Sequence, residues 1–84
     1  MVTYYFWAGY CGYCKWARRE IIEPLIEQGA NIELINCMDN PDKAIRYTVK
    51  KIPTLITVDE SGKEIKRLER HAINEQSVKT MLGI

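Results

Sequence analysis

Hydrophobic and polar positions along this chain switch between two periods. Val2 to Trp7 (VTYYFW) is a run of β-branched and aromatic residues and reads as a strand. From about Gly12 the spacing becomes helical: Trp16, Ile22 and Ile26 share a face, with Ala17, Ile21 and Leu25 beside them. Trp16 and Ile22 are assigned to the core, and Arg18, Arg19, Glu20, Glu23 and Glu27 form the wet side. Pro24 predicts a kink or short break, and Gly29 a stop. Asn31 to Cys37 (NIELINC) reads as a second strand. Asn40-Pro41-Asp42 then supplies an N-cap, a first-turn proline and a first-turn acid for a short helix, Pro41 to Tyr47, with Ala44 and Ile45 inward. Thr54 to Val58 is the third strand, Asp59 to Gly62 a turn, and Glu64 to Arg70 a fourth strand completing a hairpin. Asn74 caps a last helix with Val78, Met81 and Leu82 inward.

The resulting order is β-α-β-α-β-β-α. The opening β-α-β unit implies a parallel pair joined by a right-handed crossover, and the closing hairpin an antiparallel pair. The expectation is one α/β domain over residues 1–84, a mixed four-stranded sheet flanked by three helices.

Composition narrows the class. With 84 residues, 46% hydrophobic and 27% charged, the chain has the make-up of a small folded domain rather than a disordered segment. No apolar run approaches the roughly 20 residues of a membrane span, and Met1 to Tyr10 lacks the basic start of a signal peptide. A soluble, cytoplasmic monomer with no membrane association is expected. A net charge of +1 argues against nucleic acid as the main partner. The charge is uneven, however: residues 1–42 carry 3 basic and 6 acidic side chains, the remainder 9 and 5. A basic second half is ordinarily a solvated face, and at most steers an acidic partner.

The three cysteines carry the chemistry. Cys11 and Cys14 form a C-x-x-C pair where the first strand gives way to the first helix, and Cys37 stands apart. A thiolate at a helix start faces unpaired N–H groups and the positive end of the helix dipole, both of which lower its pKa. Two intervening residues keep both sulfurs within one turn, close enough to bridge. Cys11, nearer the loop, is the expected attacking thiolate, and Cys14 the shielded resolving thiol. Gly12 keeps the approach open. Half a zinc site has the same spacing, and two inert thiols would too; the strand-before, helix-after context favours redox chemistry.

Trp7-Ala8-Gly9-Tyr10-Cys11-Gly12-Tyr13-Cys14-Lys15 resembles the thioredoxin active-site segment W-A-x-W-C-G-P-C-K, and Ile52-Pro53-Thr54 resembles its partner loop I-P-T. Asn40-Pro41 before the second helix is also similar. This resemblance to the thioredoxin/glutaredoxin superfamily covers nearly the whole chain. It implies a thioredoxin-like fold, a cis peptide before Pro53, and thiol–disulfide exchange on protein disulfides. Ile52 and Pro53 would pair with an extended substrate, and Trp7, Tyr10, Gly12 and Tyr13 would touch it. No metal or organic cofactor is required; electrons would come from a thioredoxin-reductase-type flavoenzyme or from glutathione. The start at the active-site strand, and Tyr13 as in C-P-Y-C, are glutaredoxin-like. A glutaredoxin-like metal or iron–sulfur module is therefore the alternative.

Some positions depart from the family pattern. Tyr5 stands where thioredoxins bury an Asp, and Leu34 replaces the Lys that accompanies it, so the proton relay at the resolving cysteine is absent or different. His71 falls near a groove glycine; it is read either as an exposed loop histidine or as a neighbour of Cys11. Cys37 is expected to be buried and inert. Trp7 is expected to be partly core, Tyr10 and Tyr13 to be exposed contacts, and Lys15 to add positive potential beside the thiols.

Overall fold

The computed structural model describes residues 1–84. The N-terminal aromatic run forms β1 (Val2–Trp7), an inner strand of a sheet ordered β2-β1-β3-β4. β2 (Ile32–Asn36) runs parallel to β1, with Tyr5 opposite Leu34. β3 (Thr54–Val58) runs antiparallel to β1, with Phe6 opposite Thr54, and β4 (Glu64–Glu69) antiparallel to β3. All five residues of β3 are buried, which is why TLITV is apolar or β-branched throughout. β4 is an edge strand, and its Glu64, Lys66, Arg67 and Glu69 discourage further pairing.

Side chains alternate between two cores because successive strand residues face opposite ways. Tyr5 and Leu55 belong to one, with Ala17, Ile21, Ile22, Leu25, Ile73 and Val78. Phe6 and Ile56 belong to the other, with Ile35, Tyr47 and Val58. The mixed sheet and three flanking helices are those the pattern implied.

The first helix changes its winding just before Pro24 and continues past it, without the short break that was one expectation. Helix α1 (Gly12–Ala17) passes through a π-turn (Arg18–Ile22) into α2 (Glu23–Glu27), with helical dihedrals at both junctions. No break occurs. Proline lacks an N–H and crowds the carbonyl four residues back. The widened turn just before it, in which the Glu23 N–H donates to the Arg18 carbonyl, accommodates that defect.

Helix α3 (Pro41–Arg46) starts at its proline, but the Asn40 side chain caps nothing. The Asn40 N–H instead donates to the Asn36 carbonyl in the turn after β2. Ile45 is 75% exposed rather than inward, because six residues present only a narrow stripe to the sheet. Ala44, with Tyr47 and Val49 beyond the helix, fills that stripe. Helix α4 (Glu75–Leu82) has its expected cap: Asn74 accepts from the Ser77 N–H, Ser77 Oγ accepts from the Asn74 N–H, and left-handed Gly83 ends it. β2 and β4 are each shorter than expected, since Asn31 and Cys37 lie outside β2 and Arg70 turns away from β4. No helix is long and apolar enough to cross a membrane.

Leu55→Ala is expected to cost about 2–5 kcal/mol in urea denaturation, since Leu55 is fully buried in the first core. Ile45→Ala is expected to stay within about 0.5 kcal/mol of the parent. A large loss at Ile45 would contradict its placement.

Candidate active site

β1 delivers the chain to a turn in which the Cys11 N–H donates to the Ala8 carbonyl at 3.1 Å. Cys11 then acts as N-cap of α1, and its sulfur accepts from the Cys14 N–H at 3.2 Å. Capping by a sulfur rather than an oxygen puts one of the helix's spare N–H donors on the outer sulfur of the pair. Cys11 and Cys14 are disulfide-bonded, with Cα atoms 5.2 Å apart. Cys11 is partly exposed and Cys14 fully buried. Gly12 is exposed, and a Cβ there would meet no atom within 4 Å, so the space before the disulfide is open.

The second part of the site comes from the start of β3. Because Phe6 faces Thr54, the residues just before Thr54 meet those just after Trp7. The Ile52–Pro53 peptide is cis, as the resemblance implied, and the Ile52 carbonyl oxygen lies 4.0 Å from Cys11 Sγ. Arg67 anchors the preceding loop, donating through Nη1 to the Thr48 carbonyl at 3.3 Å and through Nη2 to the Tyr47 carbonyl.

A third part has no signature in the sequence. Arg70, assigned by pattern to the end of the fourth strand, adopts a positive φ of 41° and opens a 3-10 turn, Arg70–Ala72. Its backbone N–H donates to the Pro53 carbonyl at 2.8 Å, and its Nη1 to the Ile52 carbonyl at 2.6 Å. Arg70 shares this left-handed backbone, rare outside glycine, with Thr48 alone, and the feature is visible only in three dimensions.

The aromatic residues divide differently from expectation. Tyr10 is 75% exposed beside the disulfide. Tyr13 is half-buried, and its hydroxyl donates to the Ile73 carbonyl at 3.0 Å, so it is tied to the turn before α4 rather than free. Trp16 is 43% exposed and stacks on Tyr13 with ring centroids 5.5 Å apart; it is not core. Cys14, Ala17 and Ile21 take the inward face of that helix and leave Trp16 on its flank. His71 is exposed, as one reading held, yet its ring lies 5.5 Å from Tyr13. Trp7 is partly core, with the Arg18 guanidinium 4.5 Å above its ring and a buried, unpartnered Nε1. Lys15 is exposed on the first turn of α1.

Beneath Cys14 lies Tyr5, fully buried, whose hydroxyl donates to the Cys14 carbonyl at 2.7 Å. Its cross-strand neighbour is Leu34, so no carboxylate–lysine pair exists at these positions. Burial pushes the Tyr5 pKa up; the Tyr13 hydroxyl adds to the shift, and Arg18 offsets part of it. Tyr5 is therefore a neutral donor at physiological pH. Cys37 is only partly buried, a correction to its core assignment, because it follows the last residue of β2. Burial still raises its thiol pKa, offset in part by backbone hydrogen bonds.

A bridged dithiol between strand and helix, facing a cis-proline loop on a mixed four-stranded sheet, defines a thioredoxin-like protein. The chain belongs to the thioredoxin family: the family model described as Thioredoxin matches residues 1–82. It is 37% identical over 65 residues to a thioredoxin of Streptomyces clavuligerus, covering 75% of this chain and 59% of that one. It thus spans less than two thirds of that relative's length. Among solved structures it is similar to a mutant thioredoxin of Halobacterium salinarum, with TM-score 0.83 and 27% identity over 96% of this chain and 70% of that one. It is also similar to thioredoxin 1 of Thermosipho africanus, with TM-score 0.75 and 26% identity over 99% and 96% of the two chains.

Tyr5→Phe is expected to cost about 1 kcal/mol in chemical denaturation, the net worth of one buried hydrogen bond. The Cys14 carbonyl keeps its bond from the Arg18 N–H, which limits the loss. With the Cys11–Cys14 bridge closed, Cys37 is the remaining thiol, and burial holds its pKa above that of a free cysteine. Its rate of alkylation by iodoacetamide should therefore reach half-maximum at a higher pH than that of a free cysteine peptide measured alongside. A midpoint at or below that of the peptide would show that burial does not control the thiol.

Proposed function

We propose that this chain is a thiol–disulfide oxidoreductase acting on disulfides in proteins. The observation that carries the reading is the bridged pair itself, one sulfur reachable at a helix start and the other buried behind it. In the reduced protein the Cys11 thiolate attacks one sulfur of a substrate disulfide. That bond breaks, the first substrate sulfur leaves as a thiolate, and a mixed disulfide forms. Cys14 then gives up its proton and attacks Cys11 Sγ, expelling the second substrate thiolate and closing the Cys11–Cys14 bridge. Two electrons pass to the substrate. A thioredoxin-reductase-type flavoenzyme or glutathione returns them, in the reducing environment of the cytoplasm.

The same reading gives the surrounding residues roles. Ile52 and Pro53 present backbone edge to an extended substrate beside Cys11, in the manner of strand addition. Tyr10 and the open face at Gly12 receive its side chains, with Trp7 and Tyr13 as the firmer wall behind them. Helix-start donors on the Cys11 sulfur favour its ionised form. A zinc site built within one chain needs ligands beyond the pair, and no group of three or more His, Cys, Asp or Glu side chains placed to hold a metal ion is present.

The test is reduction of a protein disulfide by the dithiol form. The parent should turn over when supplied with electrons, and Cys11→Ser should not. Cys14→Ser should accumulate a covalent adduct with the substrate, visible by intact mass and lost on reduction. Equal activity in parent and Cys11→Ser would refute the assignment.

A further inference from the structure

The guanidinium of Arg70 sits at the mouth of the site without an acidic partner. Of the other four arginines, Arg18, Arg19 and Arg67 each bond a carboxylate, and Arg46 is exposed over the Tyr47 ring, away from the site. The Arg70 side chain bonds only the Ile52 carbonyl, at 2.6 Å; it is half-buried, and its remaining guanidinium N–H groups are open to solvent and free to take a carboxylate. The nearby acid in sequence, Glu69, is engaged by Arg67 at 3.3 Å. The same carbonyl oxygen is 4.0 Å from Cys11 Sγ, which puts the guanidinium nitrogen within about 7 Å of the sulfur, inside the range of a direct charge interaction. Loop residues Lys50 and Lys51 and the turn residue His71 are exposed on either side, and neither the 48–53 loop nor the 70–74 turn contains an acid.

We infer that Arg70 makes this site selective for disulfides flanked by an acidic side chain. A substrate strand laid along Ile52 passes this unpaired cation. A carboxylate beside the target cysteine supplies the missing charge-assisted hydrogen bond, in a place where partial burial limits screening by salt. A lysine at the same substrate position meets a like charge. The inference rests on the exchange reaction proposed for Cys11 and names the class of substrate it prefers.

The experiment uses three peptides with one intramolecular disulfide, identical except for Glu, Gln or Lys beside the first cysteine. Second-order rate constants are measured for their reduction by the dithiol protein at low ionic strength. The expected order is Glu, then Gln, then Lys, with about tenfold between the extremes, narrowing as salt is added. Arg70→Met should bring the three within about twofold, and Arg70→Lys should keep part of the preference. Because Arg70 has a positive φ, Arg70→Gly removes the side chain at a position glycine readily adopts, and serves if the Met variant is unstable. Equal rates for the three peptides with the parent protein overturn the inference, as does a preference that survives in Arg70→Gly. Failure to reduce any of them overturns the oxidoreductase reading as well, a result distinct from unselective reduction.

Discussion

The antiparallel register that sets Phe6 opposite Thr54 decides where chemistry can take place in this chain. β1 runs toward the cysteines and β3 runs away from the cis-proline loop, so this one pairing brings residues 11 and 52 together. A slip of one residue would send Tyr5 and Phe6 to the wrong faces and exchange the two cores. The register is therefore held by layers of packed side chains, Tyr5 and Leu55 on one face, Phe6 and Ile56 on the other. Burying those layers and positioning the site are the same act. The arginines on and after β4 extend it: Arg67 grips the loop at Tyr47 and Thr48, and Arg70 grips Ile52 and Pro53.

The inner strands were legible in the sequence to the residue, because β-branched and aromatic runs bounded by turns have few other uses. The C-x-x-C pair was legible for the same reason: its place between strand and helix follows from local signals alone. Periodicity fails where it must know the size of the surface opposite. It places Ile45 inward on a helix too short to bury two neighbours, and Trp16 inward where Cys14 already occupies the position. It also cannot see partners far along the chain. The Tyr13 hydroxyl finds a carbonyl 60 residues away, and Arg70 one 18 residues away. A turn that flips one residue to positive φ leaves no pattern behind when that residue is not glycine.

Tyr5 changes how the proposed exchange has to manage its protons. A carboxylate beneath the resolving cysteine could accept the Cys14 proton, whereas a buried phenol with a raised pKa cannot near neutrality. Tyr5 instead commits its hydrogen to the Cys14 carbonyl and pins the first turn of α1 to β1. The base must then come from solvent or from the reacting sulfurs. The substrate thiolate released in the first step is a natural acceptor, since it forms beside Cys14 at the moment a base is needed. In that arrangement the resolving step depends on the basicity of the leaving thiol, and the protein contributes position rather than a titrating group.

Five of the nine basic residues in the second half of the chain fall in two places, with different consequences. Lys66 and Arg67 lie on the edge strand β4, where charge guards an open sheet edge. Lys50, Lys51 and Arg70 lie on segments that frame the cis-proline. The lysines are exposed, so beyond about 8 Å their effect at physiological salt is largely screened. Arg70 is half-buried and fixed by a hydrogen bond to the carbonyl next to Cys11, so its field at the sulfur is screened less than theirs. Of the cations around the cis-proline, Arg70 is thus the one built into the hydrogen bonding of the site, and contact discrimination falls to it rather than to the lysines.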